Sequence, residues 1–239
     1  MVVGPIPVVI GVVPAAGRGT RLEELTDDRS KGLVEVGGQP LLAHVFETLI
    51  ASGVGEVVVV VGYRAGQILE HFGDSFQGVP ITYVHQREQL GLGHAVLQAA
   101  PYVEGPFVVL NGDNVLAGDL RGAIERMGGA GVDAAVAVEQ VDWERAKETG
   151  VVSVADEADG GPGNRYRREA HGTAIDARDD GLSRAAGRDL RRGGIMPALR
   201  SRRVRVTRCD RRVGTCRGAR VEAVELGRER VNVKTLTDV

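Results

Sequence analysis

Five short apolar runs, at 8–13, 57–62, 81–85, 107–111 and 134–141, alternate with stretches of helical spacing at 41–52, 65–72, 93–100 and 120–127. No other feature limits the fold as tightly. The runs are Val-rich and nearly unbroken, as expected of a strand covered on both faces. Strands interleaved with helices of this length specify an α/β fold, doubly wound around a mostly parallel sheet. In such a sheet ligands lie beyond the carboxyl ends of the strands. The residues that follow each run are therefore the ones to inspect for chemistry.

The first run empties into Val13-Pro14-Ala15-Ala16-Gly17-Arg18-Gly19-Thr20-Arg21-Leu22, and Lys31-Gly32-Leu33-Val34-Glu35-Val36 follows nine residues later. Glycines there let backbone N–H groups close on an anion with no Cβ in the way. Two common phosphate loops are excluded. Lys31 stands too far along for a Gly-x-x-x-x-Gly-Lys loop, and Leu22 occupies the place of the third glycine of a dinucleotide fingerprint. Taken alone, Gly-x-Gly also suits an ordinary strand-to-helix turn. Two further motifs sit after later runs: Gln86-Arg87-Glu88-Gln89-Leu90-Gly91-Leu92-Gly93-His94-Ala95, and Leu110-Asn111-Gly112-Asp113-Asn114. All three converge on one cleft.

Ala15-Ala16-Gly17-Arg18-Gly19-Thr20-Arg21-Leu22, with Ser30-Lys31-Gly32-Leu33-Val34-Glu35-Val36-Gly37-Gly38-Gln39-Pro40-Leu41-Leu42, resembles the signature of the sugar-1-phosphate nucleotidyltransferases. The Gln86 block is close to that family's Gln-x-x-x-x-Gly-x-x-x-Ala, and Gly112-Asp113 to its Gly-Asp at a strand end. The resemblance covers 8–154 and returns at 221–239. It implies a Rossmann-like nucleotidyltransferase fold, and transfer of a nucleotidyl group from a nucleoside triphosphate to a sugar 1-phosphate with release of pyrophosphate. Ala15, Ala16, Gly17, Arg18, Gly19 and Thr20 would then wrap the phosphates, Arg21 would stabilise the leaving pyrophosphate, and Lys31 would bridge the phosphates of both substrates. Asp113 is the implied Mg²⁺ ligand. Asn232, in Arg230-Val231-Asn232-Val233, is the second, binding through a neutral carbonyl and so less strongly.

Gln86 would offer both an amide donor and an acceptor to a pyrimidine edge, with the Gly91 backbone closing the other side. Gly150 corresponds to the glycine that lets a sugar lie against the backbone. The Gln86 block most resembles uridylyltransferases, which points to UTP and glucose 1-phosphate. A dTTP-dependent thymidylyltransferase and a molybdopterin-type nucleotidyltransferase are the alternatives among enzymes. His85 and His94 show no evident partner in the sequence and receive no role, and Trp143 reads as packing a helix start.

The net charge of -2 conceals an asymmetry. Residues 1–160 hold 22 acidic and 10 basic side chains, whereas 161–220 hold 6 acidic and 17 basic, every one an arginine. Lysine occurs only at 31, 147 and 234. An acidic, lysine-poor body suits a cytoplasm of high salt. No transmembrane run is present, and the N-terminus is broken by Gly4, Pro5 and Pro7 without a basic leader, so neither a membrane nor secretion is expected. Cys209 and Cys216 suggest no disulfide framework and no metal site. One domain over 1–239 is expected: a nucleotide half at 8–154, a sugar half at 155–220 and a C-terminal return at 221–239. Homo-oligomerisation stays open, and no acyltransferase repeat is expected to follow.

The 161–220 segment breaks the pattern, with glycine and arginine in place of aliphatic residues and no drawable strand or helix. An inactive nucleotide-fold protein or an Arg-rich nucleic-acid binder are rival readings. Tyr166 alone offers a stacking platform there, so nucleic acid is not an expected partner. A third explanation is preferred, that this segment is translated out of frame. Arg168-Glu169-Ala170-His171 before Gly172 is encodable as CGA GAA GCC CAC G. Read one base later this is Glu-Lys-Pro-Thr, and permitted codons continue to a Thr-Gly-Phe by residue 182, both motifs of the resembled family. The same offset turns 201–210 into a family-like Arg-Gly-Glu-Tyr-Glu-Leu-x-Asp-Ala.

Overall fold

The computed structural model describes residues 8–18, 28–116, 118–127, 132–140, 151–154, 167–175, 204–206, 221–225 and 230–232. In chain order the strands are β1 (Val9–Pro14), β2 (Glu35–Val36), β3 (Gln39–Pro40), β4 (Val54–Val61), β5 (Ser75–Phe76), β6 (Val79–His85) and β7 (Phe107–Leu110). They continue with β8 (Asn114–Leu116), β9 (Ala134–Gln140), β10 (Val151–Val154), β11 (Arg167–Ile175), β12 (Val204–Val206), β13 (Val221–Glu225) and β14 (Arg230–Asn232). The helices are α1 (Leu41–Ala51), α2 (Ala65–Phe72), α3 (Leu92–Gln98) and α4 (Arg121–Met127).

Strands β6, β4, β1 and β7 lie side by side and all parallel. Their carboxyl ends, at His85, Val61, Pro14 and Leu110, consequently share one edge of the sheet. The valine run of β4 shows why these strands are apolar throughout. Val57, Val59 and Val61 face Val45, Phe46 and Leu49 of α1 and Ile68 and Phe72 of α2. Val58 and Val60 face the opposite way, into a cluster with Ile10, Val12, Val109 and α3 residues Ala95 and Val96. Successive side chains of a strand point to opposite faces, so a sheet covered on both sides has no position for a polar residue. Each fully buried side chain of this size contributes roughly 1.5–3 kcal/mol. Phe46 and Phe72 seal one layer edge to face, with ring centroids 5.0 Å apart.

Beyond β7 the sheet turns antiparallel. Strand β11 pairs with β9 along one edge, and with β7 (at Gly172–Ile175) and β10 (at Arg167–Glu169) along the other. β13 then runs parallel to β9, and β12 borders β10. The expectation of an irregular Arg-rich stretch over 161–220 is corrected here, because Arg167–Ile175 and Val204–Val206 are strands. The physical reason is that β7, β9 and β10 present open edges, and backbone N–H and C=O groups satisfy those edges whatever side chains accompany them. The pairing register slips between Ala170 and Gly172, as at a β-bulge. The rest of 161–220 lies outside the described residues. Among the described residues no helix is long and apolar enough to cross a membrane.

Candidate active site

The turn after β1 is pinned by its neighbours. Ala15 N–H donates to the Val60 carbonyl at 2.8 Å, and the Ala16 carbonyl accepts from Tyr63 N–H at 3.2 Å and from Gln89 Nε2 at 2.9 Å. A Cβ at Gly62 would stand 2.8 Å from the Ala16 oxygen, so only glycine lets β4 run this close to the turn. The Arg18 guanidinium lies over the Tyr63 ring, 5.4 Å from its centroid, and Arg64 also lies over that ring at 5.3 Å. Gly17 and Arg18 are exposed, while Gly19, Thr20 and Arg21 lie outside the described residues.

Lys31 and Asp113, 82 residues apart in sequence, meet as an ion pair, Nζ to Oδ2, at 2.8 Å. Lys31 opens a short 3₁₀ turn ahead of α1, and Asp113 sits in the turn between β7 and β8. That turn is tied to β1 where Gly112 N–H donates to the Pro14 carbonyl at 3.1 Å. Asn232 on β14 is the backbone partner of Asn114 on β8, one residue from Asp113. Among the described residues no cluster of three or more His, Cys, Asp or Glu could hold a metal ion. Gly150 lies outside the described residues.

On the other side, Gln86 follows β6 and its backbone N–H donates to the Val61 carbonyl at 2.8 Å. Its side chain is almost fully buried, at 4% exposure. The amide nitrogen donates to the Gly91 carbonyl at 3.2 Å and stands 2.9 Å from His94 Nδ1. The Gln86 amide nitrogen lies against two protein groups, the Gly91 carbonyl and His94 Nδ1. This corrects one expectation. His94 does have a partner, eight residues back, which the fold of the intervening loop supplies. Gly91 makes that loop possible with φ 98° and ψ -178°, a conformation essentially closed to other residues.

These groups line one cleft of about 450 Å³. Pro14, Ala15, Ala16 and Gly17 form one wall, Lys31, Asn111, Gly112 and Asp113 a second, and Gln86, Gln89, Gly91, Leu92 and Ala95 a third. Its size suits a nucleotide-sized ligand. Of the residues singled out in the sequence, Ala15, Ala16, Gly17, Lys31, Gln86, Gly91 and Asp113 are brought together here. Sequence reading missed Gln89, which latches the loop after β6 onto the turn after β1, and the Tyr63–Arg18 stack. Neither carries a local signal, since each depends on chain crossings between distant segments.

Residues 10–161 match the protein-family model described as nucleotidyl transferase. Over 140 residues the chain is 47% identical to the UTP--glucose-1-phosphate uridylyltransferase AglF of Haloferax volcanii, an alignment covering 59% of this chain and 58% of that protein. A glucose-1-phosphate thymidylyltransferase of Streptomyces antibioticus is 40% identical over 111 residues, covering 46% of this chain and 31% of the relative. The chain thus spans little more than half the length of the first of these relatives and less of the second. Among solved structures, a UDP-glucose pyrophosphorylase of Acinetobacter baumannii superposes with a TM-score of 0.71, covering 97% of this chain and 90% of the other at 18% identity. That likeness is one of fold.

Proposed function

The chain belongs to the nucleotidyl transferase family, and from that premise we propose that it transfers a uridylyl group from UTP to glucose 1-phosphate, releasing pyrophosphate. One observation carries the reading. The turn after β1, the Lys31–Asp113 pair and the Gln86–Gly91 hydrogen bond all border the same cleft at the carboxyl edge of the parallel strands. The likeness to the Haloferax uridylyltransferase supports UTP and glucose 1-phosphate as the pair.

In this reading a phosphate oxygen of the sugar 1-phosphate attacks the α-phosphorus in line. The bond from that phosphorus to the oxygen bridging the β-phosphate breaks, and pyrophosphate leaves with the electron pair. Positioning and charge neutralisation do most of the work. Lys31 carries three donors on a mobile stem and bridges the phosphates of both substrates. Gly17, Arg18, Gly19 and Thr20 supply donors around the triphosphate, Arg21 stabilises the leaving group, and Gly150 lets the sugar approach the backbone.

Mg²⁺ fits the donor set. Mg²⁺ takes one or two protein oxygens and completes its shell with phosphates and water, and the Asp113 carboxylate in the turn after β7 is a donor of that kind. Asp113 would hold it, with Asn232, whose backbone partner is Asn114, as the weaker second ligand. Bound there, the ion supplies positive charge to the phosphates.

Two further parts of the proposal concern the gene product. A cytoplasmic location agrees with the acidic, lysine-poor composition of 1–160. The reading frame is offset over about 161–220: the family match ends at residue 161, where the arginine-rich composition begins. The sugar-binding Glu-Lys-Pro residues are absent from the chain as a result. The test is pyrophosphate release from UTP, dTTP, CTP and GTP with glucose 1-phosphate, measured for this chain and for a frame-restored version. UDP-glucose formation by the frame-restored enzyme, with little or none by this chain, is the expected result. Preference for another triphosphate in the restored enzyme would refute the uridylyl assignment, and full activity of this chain would refute the frame offset.

A further inference from the structure

We infer that His94 is a positioning residue that locks the Gln86 amide in one orientation, so that the cleft accepts a base with an N3–H donor and rejects cytosine. The inference rests on the reading of the Gln86–Gly91 side as the base site and goes beyond it by assigning the group that sets the choice.

Gln86 is 4% exposed, lines the cleft, and sets its amide nitrogen 3.2 Å from the Gly91 carbonyl and 2.9 Å from His94 Nδ1. The Gly91 carbonyl can only accept, so the Gln86 atom facing it is the nitrogen. His94 Nδ1 then has to accept as well. A neutral imidazole has one donor and one acceptor nitrogen, which puts the proton of His94 on Nε2. Nε2 is 3.2 Å from the amide nitrogen of Gln98, one turn along α3. Two donors cannot face each other, so the Gln98 amide turns its oxygen inward and accepts that proton.

What remains of Gln86 for a ligand is its oxygen, which makes no hydrogen bond among the described residues. A buried acceptor without a partner is costly, and a ligand donor relieves that cost. Gly91 N–H is likewise without a partner among the described residues. One acceptor beside one donor matches an imide edge, in which N3–H lies next to a carbonyl oxygen. Uracil and thymine present that edge. Cytosine presents a bare N3 lone pair, which would meet the Gln86 oxygen head on. Turning the amide over would relieve that clash, but it would set the Gln86 oxygen against His94 Nδ1 and the Gly91 carbonyl, two acceptors. His94 therefore makes the wrong orientation expensive without touching the base.

The test measures equilibrium binding of UTP, dTTP and CTP, each with Mg²⁺, to the full chain and its variants. The chain is expected to prefer UTP and dTTP over CTP by about 10- to 100-fold, as for a site whose buried acceptor must be paired. His94→Phe keeps the ring volume and removes the acceptor. It should bring the UTP:CTP ratio close to one by weakening UTP, strengthening CTP, or both. His94→Asn, whose side-chain oxygen can accept where Nδ1 did, should restore most of the ratio. An equal loss for all three nucleotides in His94→Phe would reveal a merely structural role and overturn the inference. If the unaltered chain shows no preference, or binds none of the three, the base-site reading itself fails. Long-range ¹⁵N–¹H spectra of the free chain give a separate check that needs no ligand and no folded variant. His94 should show Nδ1 bare and Nε2 protonated, and a protonated Nδ1 overturns the inference.

Discussion

At one end of the cleft Lys31 and Asp113 face each other as full charges 2.8 Å apart, with side chains partly open to solvent. At the other end Gln86, Gly91 and His94 form a chain of amide, carbonyl and imidazole groups, with the Gln86 side chain buried. The two ends are suited to different tasks. Charge acts over several ångströms with little directional demand, so it can hold phosphates in the several arrangements that a displacement passes through. A buried dipole acts only at contact and only in the right direction, so it distinguishes ligands that differ by one hydrogen. Loss of the charged end should reduce the rate for every triphosphate. Loss of the dipolar end should change which triphosphate is used.

The largest effect is expected at the charged end. In the frame-restored enzyme, Lys31→Met and Asp113→Asn should each lower kcat about 10³-fold, the loss of roughly 4 kcal/mol of charge stabilisation in the transition state. UTP should keep its advantage over CTP in both variants. Steady-state pyrophosphate release with each triphosphate checks this, and a collapse of base preference in Lys31→Met would show that the ends are not separate. The next effect is at the dipolar end. Gln86→Leu should raise the KM for UTP about 10-fold or more, as the imide donor loses its acceptor, with kcat changed less than twofold. A fall in kcat of the size expected for Lys31→Met would place Gln86 in the chemistry instead of in recognition.

The two ends also differ in how far they could be read from the chain. Lys31 and Asp113 are legible because each stands inside a motif that resembles the family's signature, and Asp113 also follows a strand that composition marks. The same holds for the scaffold: β4 is unbroken valine because α1, α2 and α3 cover both of its faces. The dipolar end was half legible. Gln86 stands out after β6, yet its commitment to His94 depends on Gly91 at φ 98° turning the chain back, and no periodicity encodes that. The Gln89 bond to Ala16 joins residues 73 apart and has no local signature at all. β11 carries no such pattern in its own sequence, and its backbone pairs along β7 and β9. Pattern reports what a side chain does locally, and backbone edges and loop crossings are not local.

Combining variants sharpens the division. Lys31 and Gln86 share no hydrogen bond, so Lys31→Met and Gln86→Leu should add in log kcat/KM, within about 0.5 kcal/mol. Gln86→Leu and His94→Phe act through one hydrogen bond, so the pair should cost little more than Gln86→Leu alone. The cycle is read from kcat/KM for UTP in the parent enzyme, the two single variants and the double variant of each set. Strong coupling between Lys31 and Gln86 would mean that phosphate and base placement are one event.

The smallest expected effect belongs to the residue that spans the two ends. Gln89 leaves the loop after β6 and donates to the Ala16 carbonyl at 2.9 Å, on the turn proposed to hold the phosphates. Ala16 keeps a second donor in Tyr63 N–H, so its oxygen is not stranded when Gln89 is shortened. Gln89→Ala should therefore cost about 1 kcal/mol, the net worth of one partly exposed hydrogen bond, or roughly a fivefold loss in kcat/KM for UTP. Because the latch sets the distance between the ends and belongs to neither, the loss should be shared between KM and kcat, with the UTP:CTP ratio unchanged. Confinement of the loss to KM would make Gln89 part of the base site. Confinement to kcat would make it part of the phosphate turn, and the boundary between the two ends would move accordingly.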